Sequence, residues 1–101
     1  LIVDATVATP ALLRPLQHGA DVVVQSVTKS LAASGFVIAG AVISRKDMTC
    51  KCASAEMCAD FATWLKLWPQ RDMGPNLSPM NCILALNDVR TLRTRMDHVS
   101  R

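Results

Sequence analysis

The sequence predicts an α/β fold with a mostly parallel sheet and one antiparallel strand. Three observations carry that expectation. Two short apolar runs, Leu1-Ile2-Val3-Asp4 and Val22-Val23-Val24-Gln25-Ser26, flank a segment with helix signals. A third run, Phe36 to Ser44, follows after a gap too short for a parallel crossover, which needs about a dozen residues or more. Hydrophobic residues make up 50% of the 101-residue chain, enough to argue against disorder and for one small domain with a modest core.

Each element follows from local chemistry. The first strand ends in the carboxylate of Asp4. Within Pro10 to Gly19, Leu12, Leu13 and Leu16 form a short apolar stripe, and Gly19 is a helix stop. Pro15 is tolerated there only in a first turn. A strand, helix, strand unit makes the two strands parallel, so their carboxyl ends share one sheet edge, where α/β proteins bind ligands. The third strand, apolar on both faces, is expected to be buried and reversed. Arg45-Lys46-Asp47 reads as a polar turn. Residues 52–68 read as a helix with Met57, Phe61, Trp64, Leu65 and Trp68 on one stripe, core or subunit interface in character, ended or kinked by Pro69. Residues 72–76 read as a turn. Ser78-Pro79 is a helix start, with Ser as cap and Pro at the first position. Met80, Ile83 and Leu84 line one face, Asn87-Asp88 marks a break, and a last helix from Arg90 carries Leu92, Met96 and Val99 on one side.

The chemistry concentrates at the end of the second strand. Ser26-Val27-Thr28-Lys29 places two hydroxyls and an amine where an apolar strand meets a loop. Such a lysine suits a Schiff base with pyridoxal phosphate (PLP), and the hydroxyls suit its phosphate. Asp4 reaches the same edge and suits the pyridinium nitrogen. The lysine must be neutral to attack an aldehyde, a state that partial burial at a strand end favours.

Beyond these residues, Val3-Asp4-Ala5-Thr6-Val7-Ala8-Thr9-Pro10, Arg14-Pro15-Leu16, Gly19-Ala20-Asp21-Val22-Val23-Val24 and Ser26-Val27-Thr28-Lys29 look like the Cys/Met-metabolism family of PLP enzymes. Leu77-Ser78-Pro79-Met80-Asn81 and Arg90-Thr91-Leu92-Arg93-Thr94-Arg95-Met96 resemble its downstream stretches, in order and over nearly the whole chain. The resemblance implies the large PLP-binding domain of a fold-type I, aspartate aminotransferase-like enzyme. It implies cystathionine synthase or lyase, methionine γ-lyase or O-acetylhomoserine sulfhydrylase chemistry. Lys29 would be the Schiff-base lysine and proton carrier, Asp4 the ring-nitrogen partner, and Ser26 and Thr28 phosphate ligands. Three departures stand out: Ala5 where the family carries Asn, Gln25 where His is common, and Ser30-Leu31-Ala32-Ala33-Ser34-Gly35 in place of an aromatic and a Gly-His-x-Asp-like turn. They leave attachment intact and put the usual substrate range in question.

The same resemblance implies that residues 1–101 are a central, incomplete segment of a PLP-binding domain. The family's phosphate-gripping glycine loop, its ring-stacking tyrosine and its arginine for the substrate carboxylate have no counterpart here, and the chain has no Tyr. A small amino-acid substrate and a homo-oligomer, typically a homotetramer, are implied partners; the remaining segments of the same enzyme are another. A cytoplasmic location is the default. No apolar run is long enough for a membrane span, about 20 residues. The net charge of +3 is modest, and the arginines near the C-terminus read as a solvated helix face, not a nucleic-acid surface. Cys50, Cys52 and Cys58 lack zinc-like spacing and a nearby His pair, so no metal is expected.

Two other readings compete with a sulfur amino-acid enzyme working by elimination or replacement at the β or γ carbon. One is a non-catalytic relative that keeps the fold, motivated by the altered loop after Lys29. The other is an unrelated small α/β interaction module.

Overall fold

The structure, a computed structural model, describes residues 1–49 and 60–101. Its centre is a three-stranded sheet in the order β1-β2-β3. Strand β1 (Ile2–Asp4) pairs in parallel with β2 (Val22–Ser26), with Asp4 opposite Val24. Strand β3 (Gly40–Ser44) runs antiparallel to β2, with Ser26 opposite Gly40. The expected topology is present: the helical crossover makes the first pair parallel, and the short second connection forces a reversal.

The crossover itself differs from one short helix. It is divided into α1 (Thr9–Leu12) and a 3-10 turn (Pro15–His18). Pro15 opens the second piece because it has no N–H to continue the first. Gly19 closes it at φ 92°, a left-handed conformation that glycine adopts without steric cost, and Ala20 N donates to Pro15 O at 3.1 Å.

Strand β2 carries the core. Val22, Val23 and Gln25 are buried, joined by Ala5, Ala20, Ala32 and Val37. By contrast, β3 is five residues long rather than nine, and Val42 and Ile43 are exposed. The expectation of a buried third strand fails: among the described residues β3 is an edge strand whose faces are left largely uncovered. Of the preceding residues, only Val37 turns inward; Phe36 and Ile38 are exposed.

The turn after β3 forms as expected, with Arg45 paired to Asp21 at 3.1 Å and to Asp47 at 2.9 Å. Helix α2 spans Phe61–Leu65. Asp60 is its cap, in extended conformation, and accepts from Thr63 N at 2.7 Å and from the Thr63 hydroxyl at 2.8 Å. Those two bonds, the backbone one first, hold the Asp60 carboxyl below its ordinary value. The cap starts a helix at Phe61; the expected start at Cys52, and Met57 with it, lie outside the described residues. Pro69 does not end the helix. It sits inside a wide π-type turn (Lys66–Gln70) that continues into α3 (Arg71–Met73), the wider turn accommodating the missing N–H. Gly74 terminates the run in left-handed conformation.

Helix α4 (Pro79–Val89) starts as the sequence predicts, with the Ser78 hydroxyl accepting from Asn81 N at 3.2 Å and Pro79 in the first turn. Asn87 and Asp88 stay helical, and the break falls at Arg90-Thr91. Helix α5 (Leu92–Val99) lies against α1; its Leu92 and Met96 are buried, while Val99 is exposed. The α4 face expected to be apolar carries exposed Met80 and Ile83. Among the described residues, no helix is long and apolar enough to cross a membrane.

Candidate active site

The parallel pairing of β1 with β2 brings both carboxyl ends to one edge. Asp4 ends β1 and Ser26 ends β2. The chain then enters a wide turn, Val27–Leu31, whose Lys29 has φ −82° and ψ −125°. That ψ is a kink between two helical turns. An open cleft of ≈ 1540 Å³ lies against this edge, and Asp4, Ser26 and Lys29 all line it. Three of the four expected site residues are therefore brought together.

Thr28 is turned elsewhere. Its hydroxyl donates to Ala39 O at 3.2 Å and accepts from Ala39 N at 2.9 Å. It ties the turn to the approach of β3 and is not part of the cleft lining. Lys29 is exposed rather than half-buried.

Thr6 is a residue that pattern reading missed. Its hydroxyl accepts from Ser26 N at 2.9 Å, and its amide donates to Asp4 Oδ1 at 2.9 Å. Hydrogen bonds from Thr6, the hydroxyl first and the amide second, hold the Asp4 carboxyl below the usual carboxylate range. Asp4 is thus held toward its ionised form. The signal was the spacing Asp4-x-Thr6 at a strand end, where a short polar side chain and the backbone two residues on form a turn.

Arg95 is the second missed residue. The expected basic face is exposed at Arg93, which pairs with Asp97 at 3.1 Å and donates to Ala11 O at 3.0 Å. The expectation fails for Arg95, which is half-buried and enters the wall of the cleft. Its guanidinium donates to Ser30 O at 2.6 Å and Leu31 O at 3.2 Å, both just after Lys29. Further bonds run to Asp88 O at 3.1 Å and the Thr91 hydroxyl at 3.0 Å. The signal was its position between the buried stripe residues Leu92 and Met96. Among the described residues, no group of acidic, His or Cys side chains could hold a metal, and Cys82 is a half-buried free thiol. Cys50, Cys52 and Cys58 lie outside the described residues.

Comparison with known proteins decides the family. A model described as Cys/Met metabolism PLP-dependent enzyme matches residues 1–101. The chain belongs to this family. The reading as an unrelated α/β module is thereby excluded. An L-methionine gamma-lyase of Porphyromonas gingivalis is 36% identical over 102 residues, covering 100% of this chain and 22% of that protein. An O-succinylhomoserine sulfhydrylase of Pseudomonas aeruginosa is 38% identical over 96 residues, covering 95% and 20%. The fold agrees with an O-acetylhomoserine (thiol)-lyase from Campylobacter jejuni at TM-score 0.77 and 31% identity, covering 92% of this chain and 28% of that one. That protein was solved with a pyridoxyl-lysine monophosphate residue. The chain spans about a fifth of the length of the curated relatives it matches.

Proposed function

We propose that this chain is the lysine-bearing central segment of a PLP-dependent enzyme of sulfur amino-acid metabolism. The reaction is elimination or replacement at the β or γ carbon of a sulfur-containing or homoserine-derived amino acid. The observation that carries the reading is the meeting of Asp4, Ser26 and Lys29 on one cleft at the carboxyl edge of β1 and β2.

The donor set fits PLP. The cofactor presents a basic ring nitrogen, an aldehyde and a phosphate, and the cleft offers an ionised carboxylate, an amine and a hydroxyl. When bound, PLP supplies an electron sink for bond cleavage at an amino acid. Asp4 keeps a negative charge opposite the ring nitrogen, with Thr6 holding the carboxylate in that state. Lys29 Nζ anchors the aldehyde carbon and, when free, takes the Cα proton and returns it at a neighbouring atom. Ser26 Oγ donates to the phosphate. Thr28 would be a second phosphate donor only on giving up its bond to Ala39 O.

The exposed outer edges of β1 and β3, and the uncovered apolar residues of α4, support a larger assembly. We infer that remaining segments of the same enzyme and further copies cover them, as a homo-oligomer in the cytoplasm. The decisive experiment is borohydride reduction of the full-length protein with PLP, followed by peptide mass mapping. A pyridoxyl group on Lys29 is expected, and Lys29→Ala abolishes the reducible visible absorption. A reducible adduct on another lysine in that variant overturns the assignment.

A further inference from the structure

Lys29 sits in a turn that the local backbone does not stabilise well. Ala33, four residues on, has φ 40°, a left-handed value costly for a residue with a Cβ. Within the turn, Ala32 N donates to Val27 O at 2.9 Å and Ala33 N to Lys29 O at 3.0 Å. The carbonyls of Ser30 and Leu31 point instead to one side chain from a distant part of the sequence, Arg95.

We propose that Arg95 is a positioning residue that fixes the conformation of the Lys29 turn and so aims the lysine amine at the cleft. The inference rests on the reading of Lys29 as the cofactor-attachment residue. Three features support it. The guanidinium is planar and permanently charged, and its fork meets two successive carbonyls that a compact ammonium would not hold together. Its position is itself fixed, because Asp88 O and the Thr91 hydroxyl take other donors of the same group. Asp88 adds a parallel tie, its carboxylate accepting from Ser34 N at 3.2 Å. The end of α4, the start of α5 and the residues after Lys29 thus form one polar knot.

Arg95 lines the cleft, but four of its five N–H donors go to the Ser30, Leu31 and Asp88 carbonyls and the Thr91 hydroxyl. It is therefore a brace for the turn and not a free anchor for a substrate carboxylate. Its loss releases a strained backbone and lets Lys29 sample other directions, while Asp4 and Ser26 keep their places at the ends of β1 and β2. Cofactor would then still bind, but without its covalent link.

The test uses the full-length protein carrying Arg95→Met, Arg95→Lys, Thr91→Val or, as a control, Arg93→Met. Apoprotein is mixed with PLP, and two quantities are read. One is the rate of covalent attachment, followed by absorbance. The other is the fraction of bound cofactor that borohydride fixes to Lys29, read by mass spectrometry of that peptide. Arg95→Met is expected to slow attachment by at least about tenfold and to leave much of the bound cofactor unlinked. Arg95→Lys falls between it and the parent, because a lysine keeps the charge without the fork. Thr91→Val, which removes one support of the guanidinium, slows attachment a few-fold and keeps the test open should Arg95→Met not fold. Arg93→Met behaves as the parent. A folded Arg95→Met protein with parental rate and linked fraction overturns the proposal, whatever its melting temperature. If Arg95→Met does not fold, parental behaviour in both Arg95→Lys and Thr91→Val overturns it. Equal losses in Arg93→Met also overturn it. Absence of any Lys29 adduct in the parent overturns the functional reading instead, so the two failures are distinct.

Discussion

Replacing Thr6 by Val isolates what holds the two strand ends together at the cleft. The side chain keeps its shape and loses its hydroxyl. Ser26 N, part-buried and bonded to that hydroxyl at 2.9 Å, is left without its acceptor. A lost bond of this kind costs about 0.5–1.5 kcal/mol net, and a stranded buried donor about 1–3 kcal/mol. A destabilisation of roughly 1–3 kcal/mol is expected at neutral pH, measured by denaturant unfolding of the full-length protein. A second, pH-dependent part comes from Asp4. Thr6 depresses the folded-state carboxyl below its unfolded value, so the stabilisation is present above about pH 3.9 and disappears as pH falls through the folded value. In Thr6→Val the carboxyl moves back up toward its ordinary value. The stability gap between parent and variant should therefore narrow on acidification below about pH 4 without closing. Thr6→Ser, which restores a hydroxyl, should recover most of both parts. A gap that stays constant through the acid range would refute the link from Thr6 to Asp4. Parental stability at neutral pH would refute the bond to Ser26.

Asp4→Asn removes the charge and keeps the size. The full-length variant should stay folded and bind PLP more weakly, with kcat reduced by orders of magnitude; near-parental turnover rules out the ring-nitrogen role. Residues 1–101 expressed alone should lose PLP on dialysis and associate through their open strand edges. Two neutral hydroxyl bonds contribute only about 0.5–1.5 kcal/mol net each toward a doubly charged phosphate. A soluble monomer with stoichiometric retained PLP and elimination activity would show that the segment is self-sufficient.

The topology was legible because it rests on local rules. An apolar run, a helix signal and a second apolar run leave few alternatives to a parallel pair, and a short connection forces β3 to reverse. The caps were legible for the same reason: Ser78 and Gly19 act within one turn of themselves. What failed depends on neighbours distant in sequence. Phe36 and Ile38 lie in a run apolar on both faces and Met80 and Ile83 on one helix face, yet all four are exposed among the described residues. Asp60 was also missed. Met57 extended the helical stripe backwards past a residue whose carboxylate caps Thr63 and opens the helix at Phe61.

The site divides along the same line, and Ser26 and Thr28 show why. Two residues apart in a strand, they would share a face, and both hydroxyls would meet one ligand. The strand ends at Ser26, however, and the wide turn begins at Val27, so the period of two no longer applies at Thr28. Its hydroxyl rotates to Ala39, whose N–H and C=O it satisfies together. A phosphate asks for donors, and Thr28 has one proton, already placed on Ala39 O. Of the two, Ser26 is the hydroxyl that the fold leaves at the cleft, and Thr28 would reach a phosphate only by giving up its donation to Ala39 O. Where a motif straddles the end of a strand, its spacing gives the chemistry of the residues but not their common direction. That direction is set by what braces the turn: Ala39 on one side, Arg95 on the other.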